Sequence, residues 1–310
     1  MMKHMPSGSA VLSALLVVSI TAVLASTALL AVNSSILRIQ AQKDISQAQW
    51  IVLAVTDYAR WVLTADLRGS NKSSNQFDHL SEPWAQIIPF SRLDELFIEK
   101  LDIEKERMAL AGFEGFIRDE QSKLNIAGIS DGFKDAELIE KSLKNLFLLL
   151  KIEEKKFRKF ITLIRFSSKN DFLKKNRNFR ISELPDLLSK LDLSKKDNQL
   201  LSERLIWLPE HSPVNINTAS VEVISAIFDE TDTSKLSFLL ETRKKYPFRS
   251  ISEIESAYVT SNRQSYNLLD TKSSYFSLHG TVIFNKAENS FRTLLRRFDD
   301  KVVAIFEDKA

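Results

Sequence analysis

Three carboxylates stand within four residues at Asp229-Glu230-Thr231-Asp232, and closely spaced carboxylate oxygens are the ligands that calcium takes. The same acids beside a helix end also read as a solvated turn whose charges favour the helix dipole. Other groupings offer less. The four histidines, His4, His79, His211 and His279, are scattered, without Asp, Glu or Ser at ligand or triad spacing. Cysteine is absent, which removes disulfides, zinc-thiolate sites and thiol nucleophiles. With seven glycines in 310 residues, the phosphate-loop, dinucleotide and nucleophile-elbow patterns find no match. No catalytic constellation emerges, so the sequence reads as a non-enzyme whose one cofactor candidate is calcium, at Asp229, Glu230 and Asp232.

Bulk electrostatics give no support to nucleic-acid binding. The net charge is +3, and the charged residues, 27% of the chain, are dispersed. One basic stretch, Lys174 to Arg180 (KKNRNFR), reads as a solvated loop, with a lipid or protein contact as the alternative.

The longest signal is N-terminal. Ser9 to Leu37 carries no charged residue over 29 positions, and about 20 apolar residues suffice to span a bilayer as a helix. Three readings compete. One is a cleaved secretory signal with Lys3 as its basic start and a small-residue site at Val23-Leu24-Ala25. Another is a retained anchor. The third is a prepilin-like leader, a short polar peptide ending in glycine directly before the apolar helix. That last reading gives Gly8 a purpose, since it sits at the junction. It also accounts for the continuation of the run as an amphipathic helix, with Ile45, Ala48, Val52, Val55, Ala59 and Val62 on one stripe. Neither proline nor glycine interrupts Ser9 to Arg68, so one helix of more than about 50 residues is expected.

Downstream, residues 69–78 (GSNKSSNQFD) form a turn-rich loop, and Met108 to Ile126 reads as extended segments. Residues 131–267 are helix-rich, with Phe157, Phe160, Ile161 and Ile164 on one face and a capping box at Ser250 and Glu253. The C-terminus alternates apolar and polar residues from Tyr275 to Phe284. A turn at 285–289 and strands at 291–297 and 302–306 then complete an antiparallel meander. Sheet segments on both sides of a helical block imply an insertion into an α/β host. Within the block, residues 213–248 resemble a helix-hairpin-helix DNA-binding element, with Asn217 or Thr218 capping a helix of Val221, Ile224 and Phe228. The hairpin that would offer backbone N–H groups to phosphate is instead Asp229 to Asp232, acidic and without glycine, so nucleic acid is not expected as a partner.

In order along the chain come Gly8 before Ser9-Ala10-Val11-Leu12, Ser81-Glu82-Pro83-Trp84-Ala85, and the run Gly115 to Asn125. Ile181-Ser182-Glu183-Leu184, Val214 to Ala219, Arg243, Pro247-Phe248 and Tyr275-Phe276 follow. Together they resemble the K-type minor pseudopilin of the bacterial type II secretion system. That resemblance implies an α+β, type IV pilin-like fold: leader 1–8, transmembrane and assembly helix 9–37 continuing to about 66, pilin-like segments 67–130 and 268–310, and an inserted α-helical domain at 131–267. It also implies cleavage after Gly8 by prepilin peptidase and methylation of Ser9. The partners it implies are the I- and J-type minor pseudopilins, the major pseudopilin and the inner-membrane assembly platform. The protein would be a single-pass inner-membrane protein with its body in the periplasm, placed at the tip of the pseudopilus to initiate and cap the fibre for export of folded proteins. The family's pilins mostly carry a glutamate at the fifth mature position, whereas K-type proteins lack it; here that position is Ser13. The acidic calcium-associated segment of K-type proteins is replaced by Ser167 to Asp171 and the basic run after it, which leaves Asp229, Glu230 and Asp232 as the metal candidates. A membrane-anchored, exported helix-hairpin-helix module binding nucleic acid or protein is the alternative reading.

Overall fold

The computed structural model describes residues 7–70, 77–93, 111–130, 133–174, 180–230, 232–260, 262–299 and 301–309. Helix α1 runs unbroken over Ser7–Ser70, and it is long and apolar enough to cross a membrane. Its hydroxyl residues do not spoil that character. Ser19 Oγ donates to Leu15 O at 2.8 Å, Thr27 Oγ1 to Leu24 O at 2.9 Å, and Ser34 and Ser35 to Ala31 O at 2.9 Å. Each of these hydroxyls is thus satisfied by its own helix without water.

The second half of α1 buries Ala48, Val52, Val55, Ala59, Leu63 and Leu67. The expected stripe differs at its ends: Ile45 is 48% exposed, and Leu63 takes the buried place assigned to Val62. Strict 3,4 alternation has a period of 3.5 and drifts about 20° per heptad on a straight helix. Successive steps of four keep the lower residues on the packed face.

The chain divides into two compact units. The first comprises residues 1–52, 92–112 and 282–289, and in it Asn285 Nδ2 donates to Asp44 Oδ1 at 3.0 Å. The second comprises residues 53–91, 113–281 and 290–310, so the helical block shares a unit with most of the sheet. Five strands form that sheet in the order β1-β2-β7-β8-β9. Strands β1 (Ile88–Arg92) and β2 (Ala111–Asp119) precede the block, while β7 (Tyr275–Phe284), β8 (Ala287–Arg297) and β9 (Val302–Lys309) follow it. The β7–β8 turn is tighter than the expected 285–289, because Asn285 adopts φ 54° and closes the hairpin in two residues. Strands β8 and β9 pair antiparallel with an irregularity at Leu294/Leu295. The extended reading of Met108 to Ile126 is met by β2 and the short β3 (Leu124–Asn125); 108–110 lie outside the described residues.

Seven helices of seven residues or more form the block among the described residues: α2 (Ala136–Leu149), α3 (Glu154–Lys174), α4 (Arg180–Ser189), α5 (Lys195–Arg204), α6 (Val221–Phe228), α7 (Ser237–Lys245) and α8 (Ile251–Ala257). Phe157, Phe160, Ile161 and Ile164 of α3 are all buried in one core with Phe147, Leu188, Trp207 and Ile224. Residues 175–179 of the basic stretch lie outside the described residues. At α8, Ser250 Oγ accepts from Glu253 N, while the Glu253 carboxylate takes the Arg249 N–H and not that of Ser250, a capping box displaced by one residue. Two parallel ladders stitch the block at its ends: β3 to β4 (Leu205–Ile206), and β5 (Val214–Asn215) to β6 (Leu269–Asp270).

Strands β2 and β7 approach closely through Gly115 and Gly280. A Cβ on Gly115 would lie 2.4 Å from His279 O, and one on Gly280 would lie 2.8 Å from Glu114 O, both backbone atoms that a side-chain rotation cannot move. Gly115→Ala should therefore destabilise the full-length protein by about 1–3 kcal/mol, read as a lowered unfolding midpoint in detergent. Gly69→Ala, with nothing within 4 Å, is the control expected to change little.

Candidate functional site

A buried polar seam links the elements on either side of the helical block. Asp119, the last residue of β2, caps the 3-10 turn Glu120–Ser122 by accepting from Gln121 N at 2.8 Å through Oδ1. Its Oδ2 accepts from Thr218 Oγ1 at 2.6 Å, Ser273 Oγ at 2.7 Å and Asn215 Nδ2 at 3.0 Å. One carboxylate thereby holds β2, the turn after β5 and the segment before β7. Burial pushes Asp119 up to about 6, against the pull of the Ser273 and Thr218 hydroxyls.

The neighbouring residues divide the work. Glu120, fully buried, pairs with Lys123 Nζ at 2.7 Å and Arg292 Nη2 at 2.9 Å. Burial works to raise it, but Lys123, His279 and Arg292 outweigh that and hold it well below the usual carboxylate range. Gln121 donates to Pro213 O at 2.9 Å and accepts from Ser274 N at 2.6 Å. Asn125 donates to Glu210 O at 2.8 Å and accepts from Ala127 N and Leu208 N. Side chains from one short run thus bind backbone far along the chain, at Leu208, Glu210, Pro213 and Ser274.

Asn217 and Thr218 do not cap α6 as expected. Ser220 does, accepting from Val223 N, because the helix begins later than an Asn217 or Thr218 cap would require. Asn217 instead brackets Phe248, donating to its O and accepting from its N, both at 2.9 Å. Arg243, half-buried and pushed down to about 10 by that burial, donates to Ile216 O. The Asn-Ile-Asn turn is therefore fastened to the Pro-Phe turn through the Asn217 side chain and to the end of α7 through Arg243.

Arg297 at the end of β8 was not singled out by the sequence. It donates from Nη2 to both Asp78 oxygens, from Nη1 to Asp66 Oδ2 at 3.1 Å and from Nε to Ser273 O at 3.1 Å. Its guanidinium also lies 4.8 Å from the Phe276 ring centroid, and Trp84 meets that ring edge-on at 5.1 Å.

Carboxylates of the acidic turn point to separate tasks. Asp229, in left-handed geometry at φ 58°, ends α6 and pairs with Lys141 at 2.7 Å. Glu230 accepts from Asp232 N at 3.0 Å, and Asp232 caps Thr233–Leu236 through Ser234 N at 3.0 Å. Among the described residues, carboxylate oxygens within 4.8 Å of one another belong to a different trio, Asp66, Asp78 and Glu82. There the cationic seat is taken by Arg297. Of the histidines, His79 stacks on Phe77, His211 on Phe133 and His279 on Phe116; His4 lies outside the described residues. Gly8, Ser9 and Ser13 lie in the first turns of α1.

Arg297→Ala should cost about 3–5 kcal/mol by leaving buried Asp78 uncompensated. Arg297→Lys should recover only a fraction of that, since an ammonium cannot span Asp78, Asp66 and Ser273 O together; unfolding midpoints of the full chain test both. Asp119→Asn should also destabilise although it is isosteric, because an amide NH₂ would meet donors where oxygens now accept.

The family model described as type II secretion system (T2SS), protein K, matches residues 214–273, the span that carries Asn215, Asn217, Thr218, Arg243, Phe248 and Ser273. A type II secretion system protein K from Pseudomonas aeruginosa PAO1 is 25% identical over 271 residues, covering 80% of this chain and 76% of that protein. A chain of the crystal structure of the GspK-GspI-GspJ complex from the enterotoxigenic Escherichia coli type 2 secretion system superposes with a TM-score of 0.65 at 16% identity, over 88% of this chain and 99% of that one. This likeness shows the pilin-like fold. Family match, relative and shared fold together support a K-type minor pseudopilin of the type II secretion system.

Proposed function

We propose that this chain sits at the tip of the pseudopilus, where it initiates and caps the fibre that exports folded proteins across the outer membrane. Ser13 carries the reading. A carboxylate inside lipid is costly unless it is paired, and in the family it pairs with the amino terminus of a neighbouring subunit. An uncharged fifth mature residue makes no such demand, as suits a subunit with nothing above it. The helical block supports the same placement, since seven helices beyond the sheet would obstruct a further subunit. Gly8 and Ser9 are the cleavage site and the N-methylated mature terminus produced by prepilin peptidase. Residues 9–37 anchor the precursor once across the inner membrane, with the body in the periplasm. The I- and J-type minor pseudopilins are the nearest partners, supported by the similarity to a chain of a GspK-GspI-GspJ complex. The major pseudopilin and the inner-membrane assembly platform complete the set. In this reading the chain catalyses nothing; Asp229 ends α6, Glu230 accepts from Asp232 N, and Asp232 caps Thr233–Leu236.

Mass spectrometry of the mature amino terminus tests the processing step, with N-methyl-Ser9 expected. A terminus at Ser26 would mean an ordinary signal peptide and overturn the reading. Gly8→Arg should abolish processing and secretion together; normal maturation of that variant would count against cleavage after Gly8.

A further inference from the structure

Asp66, near the end of α1, Asp78 and Glu82 bring carboxylate oxygens within 4.8 Å of one another, facing a single guanidinium, Arg297. Arg297 is committed to Asp78 and Asp66, and Glu82 lies outside its hydrogen bonds. Glu82 Oε2 instead accepts from Trp84 Nε1 at 2.7 Å and His79 N at 2.9 Å, while a Glu82 oxygen and an Asp66 oxygen lie within 4.8 Å of each other. Three carboxyl groups this close, little screened by water and facing one guanidinium, disfavour full ionisation, and the carboxyl group without the guanidinium is the one that retains a proton most easily. We propose that Glu82 and Asp66 share one proton, and that this acid pair is a proton-dependent latch fastening the end of α1 to the segment 77–85.

Among the charged groups that face the pair, Arg297 and a protonated His79 oppose the proton, while Asp78 favours it. Asp66 is the one from α1, Arg297 the one from β8, and Asp78, His79 and Glu82 come from the segment itself; buried Asp119 adds negative charge near Asp78. The side chains of Asp66 and Glu82 are each 14% exposed, so water screens them little. Burial, reinforced by the negative Asp66 and Asp78, pushes Glu82 up to about 7 despite the His79 and Trp84 donors. The latched segment has further ties: Asp78 N donates to Thr271 O and Asn215 Nδ2 to Asp78 O. Loss of the proton therefore acts where α1, the sheet and the seam are tied together.

The sign of the pH effect follows from linkage. Folding raises the affinity of Glu82 for its proton, so stability falls as pH rises from its ordinary value, 4.5, to about 7, and levels off above. Asp119 acts in the same direction but is complete near 6. His79, held down by burial, acts oppositely below 6.5. The window from about pH 6.5 to 7.5 thus isolates the pair best.

Full-length protein in detergent should lose on the order of several degrees of unfolding midpoint across that window. Its infrared spectrum should lose a protonated-carboxyl band over the same range. Glu82→Gln, which keeps a donor toward Asp66 without a proton to lose, should flatten the midpoint profile and remove the band. Asp57→Asn, at an exposed site on α1, should leave both as in the wild type. A wild-type midpoint that is level or rises across the window overturns the latch, as does a Glu82→Gln profile as steep as the wild type's. If Glu82→Gln fails to fold, Asp66→Asn carries the same comparison: a flattened profile without the band supports the latch, and an unchanged one overturns it.

Discussion

The head is held together around a buried guanidinium. Arg297 is 6% exposed and touches Asp78, Asp66, the Ser273 carbonyl and the Phe276 ring. Taking such a charge out of water is expensive, and only multiple close partners offset it. Those partners come from the end of α1, the segment before β1 and the segment before β7. Satisfying Arg297 therefore requires the end of the long helix and the sheet to be in place together. Asp119 does for the helical block what Arg297 does for α1, collecting Thr218, Asn215 and Ser273. Ser273 belongs to both groups, so the seam is continuous from α1 to the turn that opens the family-matched region.

This arrangement explains how a block of seven helices can be inserted between β2 and β7 without loosening the sheet. Hydrophobic burial stabilises the block internally, but apolar contacts are weakly directional. Orientation comes from the polar pairs, which tolerate only narrow geometries. Asn217 against Phe248, Gln121 against Pro213 and Ser274, and Asn125 against Glu210 and Leu208 each fix one chain segment relative to another.

Local patterns were legible in the sequence, and long-range ones were not. Helix α1 declared itself through an uncharged run followed by a stripe, and the β7–β9 meander through alternation. The buried face of α3 was equally plain, because Phe157, Phe160, Ile161 and Ile164 obey a period the helix itself sets. Arg297 gave no sign, since its partners Asp66 and Asp78 lie 231 and 219 residues away. Asn217 misled in a specific way: a polar residue just before an apolar helix satisfies the capping rule, yet its amide was needed to pair a turn 31 residues on. The acidic turn shows a division of tasks that its density in sequence does not reveal. Spacing in sequence does not say where carboxylates point, and the three acids within these four residues take three different tasks.

A role at the tip of the pseudopilus is tested most directly by where secreted proteins stop when this chain is removed from its own cell. Deleting it should leave folded exoproteins trapped in the periplasm, and restoring the full chain should return them to the medium. Secretion that continues unchanged in the deletion strain would contradict that role.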